Sequence, residues 1–191
     1  MSSRLFVIAG PSGVGKGTLI ARVLEQMPEL AVATSATTRG RRASEHDGVE
    51  YHFLSGDEFE RRVGAGEFLE HVTYVGNRYG TLRSEVERRL ADGQSVVLEI
   101  EVVGAREIKR QLPDAVTVFV APPSMEELER RLAGRNTDSP DMIRDRLKIA
   151  RDELDAQSMF DHVIVNRDAD TAAQELASII RAEIANEEPT P

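Results

Sequence analysis

Four short apolar runs recur along the chain: Leu5–Ala9, Ser95–Ile100, Ala115–Ala121 and His162–Asn166. They lack the alternation of a half-solvated strand, and their length and β-branched content predict strands buried on both faces, as in a parallel sheet. Between them lie polar stretches of helical length, at Lys16–Met27, Val103–Leu112, Ser124–Ala133, Asp141–Phe160 and Thr171–Asn186. Ser124, with Glu127 three residues on, predicts a capping box, and Pro28 and Pro113 sit beyond the ends of two of these helices. Strands alternating with helices predict an α/β fold with helices on both faces of the sheet.

Residues 32–92 break this rhythm. Gly48–Phe53 and Phe68–Tyr79 alternate more and are more polar, with short helices expected at Asp57–Val63 and Leu82–Ala91. This predicts a small mixed or antiparallel insertion over residues 34–92, standing off a core built from residues 1–33 and 93–186. A second irregular stretch, Ala133–Arg146, contains Gly134, Pro140 and the arginines 131, 135, 144 and 146. A polar loop of that kind between two helices predicts a lid, within residues 123–150. Residues 187–191 read as a polar, frayed tail.

Composition narrows the function. At 191 residues and 40% hydrophobic content, the chain can bury one full core with one small insertion. A net charge of −9 opposes nonspecific nucleic-acid binding, so the local basic clusters must serve local purposes. The absence of cysteine excludes disulfides, thiol nucleophiles and thiolate metal sites. No apolar run approaches the roughly 20 residues needed to span a bilayer, and the first is too short for a signal-peptide core. The expectation is a soluble, cytoplasmic protein without a nucleic-acid or membrane partner; self-association is left open.

The first apolar run leads directly into Gly10-Pro11-Ser12-Gly13-Val14-Gly15-Lys16-Gly17-Thr18. Strand, glycine-rich turn and helix start together make a phosphate cradle: backbone N–H groups converge on phosphate oxygens, the helix adds the positive end of its dipole, and Lys16 supplies a mobile charge. The residue after the lysine, usually Ser or Thr, is Gly17, and the hydroxyl is delayed to Thr18. That ending resembles the loop of nucleoside monophosphate kinases, where Thr18 would orient Mg2+ on the donor nucleotide, directly or through water. A second basic segment, Ser35–Glu45, carries Arg39, Arg41 and Arg42 in a glycine- and hydroxyl-rich loop, with Tyr51 and Tyr79 flanking the insertion. Guanidinium forks and phenolic donors suit a second phosphate, separate from the first.

Several motifs in register carry a resemblance to the guanylate kinase family over nearly the whole chain. They are Thr37-Thr38-Arg39 with Arg42 and Glu45, Asp47–Phe53, Gly66–Glu70, Tyr79-Gly80-Thr81, Pro122–Ser124, and Arg135 with Arg146. The resemblance implies a P-loop parallel sheet in which ATP, with Mg2+, occupies the first loop and GMP or dGMP the insertion. It places the GMP phosphate on Arg39, Arg42, Tyr51 and Tyr79 and the base on Ser35, Glu70 and Thr81. Arg135 and Arg146 become lid arginines that join Lys16 and Arg39 in catalysis, and Asn166 approaches the adenine. Guanine presents two adjacent donors, N1–H and the 2-amino group, that one carboxylate such as Glu70 can accept together; adenine offers neither, and sites built on such bonds reject analogues lacking them by about 10⁴ to 10⁵.

The chain departs from the family pattern at Arg41, where proline is common, and at Ser44, where glycine is common. Arg78 replaces a tyrosine, Val103 a glutamine and Arg167 an aspartate. Glu101 stands where aspartate is usual, so its carboxylate reaches one methylene further, toward magnesium-bound water or the guanine edge; we group it with the GMP-binding residues. Two other readings are a small P-loop kinase with a different acceptor and a noncatalytic scaffold domain. The intact loop and Lys16 weigh against the scaffold.

Overall fold

The structure, a computed structural model, describes residues 3–74, 76–134 and 140–186. In chain order the elements are β1 (Leu5–Ala9), α1 (Lys16–Gln26), β2 (Ala31–Val32), β3 (Ala36–Thr37), β4 (His52–Phe53), α2 (Gly56–Gly64), β5 (Phe68–Tyr74), β6 (Asn77–Leu82), α3 (Arg83–Ala91), β7 (Val96–Glu99), α4 (Val102–Gln111), β8 (Val116–Ala121), α5 (Met125–Ala133), α6 (Pro140–Asp155), a 3-10 turn (Gln157–Met159), β9 (His162–Val165) and α7 (Ala169–Ala185).

The four apolar runs become β1, β7, β8 and β9, which join the two-residue β2 in a parallel sheet of order β2-β7-β1-β8-β9. Every residue of β1 and β8 is buried, because helices cover both faces of the centre. One face packs Phe6, Ile8, Val118 and Val120 against α1, α5 and α7; the other packs Val7, Leu98 and Phe119 against α4. Full burial of such a side chain contributes about 1.5–3 kcal/mol, so these central strands anchor the loops at their C-terminal ends. The edge strand β9 corrects the expectation of two buried faces: Ile164 is buried, whereas Val163 and Val165 are about 40% exposed.

The α/β expectation holds, with local revisions. Asp141–Phe160 is not one helix; α6 ends at Asp155 and the 3-10 turn brings Phe160 against Phe119, with ring centroids 5.2 Å apart, before β9 begins. The capping box at α5 closes on one side only. Ser124 accepts the Glu127 N–H at 3.2 Å, but the Glu127 carboxylate is drawn to Arg130 and Arg131, each at 2.8 Å. Phe68–Tyr79 is a hairpin of β5 and β6.

That hairpin belongs to a second, mixed sheet of order β4-β3-β6-β5, with β3 parallel to β4 and antiparallel to β6. It has its own small core of Ala36, Phe59, Phe68 and Leu82, with Phe59 stacked on Phe68 at 4.5 Å. α5 and α6 form the helical lid; residues 135–139 between them, and so Arg135, lie outside the described residues, as does the expected tail. Among the described residues no helix is long and apolar enough to cross a membrane.

Candidate active site

A cleft of about 440 Å³ runs between the C-terminal edge of the parallel sheet and the small mixed sheet. One end is the glycine-rich loop. Gly10 leaves β1 so close to β8 that a Cβ on it would meet the Val120 carbonyl oxygen at 2.2 Å. Gly15 takes a left-handed φ of 99° as the N-cap of α1 and offers no side-chain cap, so the first N–H groups of the helix are left for a ligand. Lys16 is buried and its Nζ donates to the carbonyls of Gly10 at 2.7 Å and Pro11 at 3.3 Å. Ser12, Gly13, Gly17 and the exposed Thr18 line the cleft, while Val14 turns into the core. A Cβ at Gly17 would sit 3.1 Å from Glu99 Oε2 at the end of β7, so a side chain here would press on that carboxylate.

The other end is made by the small sheet. Arg39 reaches the cleft in a two-pronged pair with Glu45, Nη2 to Oε1 at 2.7 Å and Nη1 to Oε2 at 3.1 Å, and its guanidinium stands 5.4 Å from the Tyr51 ring centroid. Glu45 also accepts the Arg42 N–H at 2.8 Å, so one buried carboxylate organises both arginines. The pairing with Arg39 holds the Glu45 carboxyl below its ordinary range. Tyr51 and Tyr79 meet edge to face at 6.0 Å, and burial pushes the Tyr51 phenol up to about 12, keeping it a neutral donor. Arg42 is exposed and lines the cleft, as does Ser35.

Glu70 is seated by a β-bulge. Pairing between β5 and β6 shifts register between Phe68 and Glu70, so Phe68 enters the small core, Leu69 the main core, and Glu70 the cleft. Bulges re-aim side chains in this way beside binding sites. The carboxylate is buried, accepts the Thr81 hydroxyl at 2.8 Å, and is pushed up to about 7 by burial against the opposing effect of Thr81. A carboxyl held there without its full set of donors is poised to accept more.

Glu101 and Arg146 also line the cleft, so the structure brings together Lys16, Thr18, Ser35, Arg39, Arg42, Tyr51, Glu70, Tyr79, Glu101 and Arg146. Thr81 stands behind Glu70. Asn166 is not in the cleft: it is buried beneath the loop, where its Nδ2 donates to the Val14 carbonyl at 2.8 Å. Arg131 braces the same carbonyl at 3.2 Å and that of Asn166 at 2.9 Å. Sequence reasoning missed Arg131, the Glu99 neighbour of Gly17 and the part of Glu45 in holding Arg39; only the six-residue spacing of Arg39 and Glu45 hinted at the last. Of the departures, Arg41 donates to the Glu45 carbonyl, Arg78 pairs with Glu60 and lies 4.7 Å over Phe59, and Val103 and Arg167 are exposed.

The donors near the loop, the Thr18 hydroxyl and the Glu99 carboxylate, are hard oxygen ligands of the kind that suit Mg2+. Such a small donor set fits Mg2+, which keeps several waters and takes one or two protein oxygens together with substrate phosphates.

Comparison with known proteins matches residues 2–183 to the profile described as guanylate kinase. The guanylate kinase of Synechococcus sp. strain CC9902 is 53% identical over 175 residues, covering 92% of this chain and 94% of its own. That of Frankia casuarinae is 52% identical over 176 residues, covering 92% and 96%. The crystal structure of guanylate kinase from Anaplasma phagocytophilum superposes with a TM-score of 0.80 at 33% identity, covering 95% of this chain and 86% of that one.

Proposed function

Because the chain belongs to the guanylate kinase family and is an ATP:GMP phosphotransferase of purine nucleotide metabolism, we propose that the cleft between its two sheets holds the two nucleotides end to end. ATP lies on residues Gly10 to Thr18, with Asn166 supporting the loop toward the adenine side; GMP or dGMP lies on the small sheet. The observation that carries this reading is the buried Glu70 carboxylate in the same cleft as Lys16. Guanine N1–H and its 2-amino group supply two further donors to Glu70, with Ser35 and Glu101 around the base edge and Thr81 holding the carboxylate from behind.

The chemistry asks for charge placement and alignment rather than covalent help. An oxygen of the GMP phosphate attacks the γ-phosphorus of ATP while the bond to the β-phosphate oxygen breaks, giving GDP and ADP. Lys16 exchanges its two carbonyl acceptors for outer phosphate oxygens. Arg39, held by Glu45, grips the acceptor phosphate with Arg42, Tyr51 and Tyr79. Arg146, with Arg135 from outside the described residues, brings positive charge from the lid to the equatorial oxygens. The family works on Mg2+-ATP, and Thr18, directly or through water, would hold the ion, which would neutralise charge on the donor phosphates. Lid closure over the cleft keeps water from taking the phosphoryl group.

The test is a coupled ADP-release assay across GMP, dGMP, AMP, CMP and UMP. Turnover of GMP and dGMP with little on the other three is expected, and comparable rates on AMP would overturn the base-recognition role of Glu70.

A further inference from the structure

The start of α4 has no cap of its own. Its N-cap residue, Glu101, makes no side-chain hydrogen bond to the helix. Glu153, on α6, faces this helix start from another element: it shares a cavity wall with Glu101 and Val102, and the Val102 N–H opposes the rise of its carboxyl. A carboxylate at a helix N-terminus satisfies an orphan donor and meets the positive end of the dipole. Glu153 is 9% exposed, one of two buried residues of α6, the other being Ala150.

Glu153 has a second neighbour. Its carboxyl lies beside that of Glu101, and each keeps a buried Oε2 that accepts no hydrogen bond. Burial and the adjoining carboxylate raise the Glu153 carboxyl above its ordinary range, and the positive charge felt there is that of Lys16. Glu153 thus stands in the wall between the active cleft, which Glu101 lines, and a second cavity of about 430 Å³ that both glutamates line with Tyr74 and Val102.

Arg146 and Glu153 are seven residues apart on α6, within about 20° of the same helix face, with Ala150 between them. Ala150, Ile143 and Leu147 pack α6 on the core, and Glu153 is the polar contact on the face from which Arg146 reaches the cleft. We propose that Glu153 is a positioning residue for phosphoryl transfer: by docking on the Val102 N–H and the Glu101 side chain, it sets the lid helix so that Arg146 enters the reaction centre in register. The inference rests on the assignment of Arg146 to the transferred phosphoryl group.

Steady-state kinetics with ATP and GMP on E153A, E153Q, R146A and the E153A/R146A double variant test it, with thermal unfolding measured on each. Misplacing a catalytic group by a fraction of its length lowers kcat in E153A by about 10- to 100-fold, with the GMP KM held within about threefold. E153Q keeps an acceptor for Val102 and gives Glu101 an N–H donor, so its kcat returns to within about threefold of wild type. In the R146A background, E153A costs no more than about twofold further, since the two act through one contact. Wild-type kcat in E153A, or an undiminished loss in the R146A background, overturns the positioning role alone. Wild-type kcat in R146A overturns the assignment of Arg146 and the inference with it. If E153A does not fold, E153D, which withdraws the carboxyl by one methylene, carries the same expected loss and the same overturning outcome.

Discussion

Gly104, in the first turns of α4, lies so close to Glu70 that a Cβ at this position would stand 2.6 Å from Glu70 Oε2 and 3.0 Å from the carboxyl carbon. Since Thr81 holds the other oxygen, the carboxylate cannot retreat without losing a buried hydrogen bond. Alanine adds helix propensity worth about 1 kcal/mol, which offsets part of the about 1–3 kcal/mol cost of displacing the carboxylate, so G104A should lose at most about 2 kcal/mol of stability while the GMP KM rises about tenfold. A large rise in KM with a small change in melting separates a displaced carboxylate from general damage. An unchanged KM would mean that Glu70 does not hold the base.

Glu70 titrates near pH 7 because it is buried. Guanine needs it as the anion, so the GMP KM should fall about tenfold per unit as pH rises toward 7 and level off above, and E70Q should lack this limb while binding GMP about 2–3 kcal/mol more weakly. Stability moves the other way. A carboxyl raised from 4.5 to about 7 by folding favours the folded state fully below about 4.5, and that contribution is lost as pH rises through about 7. Melting curves from pH 4.5 to 8 should show a smaller decline in E70Q than in wild type.

Glu45 has the opposite sign. Its carboxyl is lowered, chiefly by the Arg39 hydrogen bonds, so its contribution is present above the ordinary glutamate range and disappears as acid titrates through the lowered value. E45Q should lose about 1–3 kcal/mol of stability at neutral pH, raise the GMP KM, and flatten the acid limb of the stability curve. A variant with wild-type KM would show that Arg39 needs no support to meet phosphate.

Lys16 is buried with two carbonyl acceptors, and methionine is close to it in shape. K16M should fold, with kcat lower by at least about 10²- to 10³-fold, the cost of removing one donor aimed at developing charge. Single-turnover measurement of ADP formation checks this independently of product release.

The parallel sheet and the phosphate loop were legible because both are local: apolar runs need no partner to be recognised, and Gly10 to Lys16 are contiguous. Glu70 was legible through its motif, but its seat was not. Phe-Leu-Glu reads as three residues of an ordinary strand, and only the pairing with β6 reveals the bulge that sends them to three destinations. Glu153 gives no signal at all, one acid in Arg-Asp-Glu-Leu-Asp, because its meaning lies in the uncapped start of a helix distant in the chain. Asn166, expected to approach the adenine, lies buried beneath the phosphate loop, because a strand-end asparagine does not disclose which side its amide faces.

Gly17 faces the Glu99 carboxylate at the end of the neighbouring strand, and a Cβ there would stand 3.1 Å from Oε2, so a side chain at 17 asks the tip of that flexible acid to give by a few tenths of an ångström. Positions 17 and 99 are thus coupled by contact: what the loop carries after its lysine and where the strand-end carboxylate rests are one unit. A motif search that demands a hydroxyl directly after the lysine reads half of that unit and would discard a working nucleotide kinase.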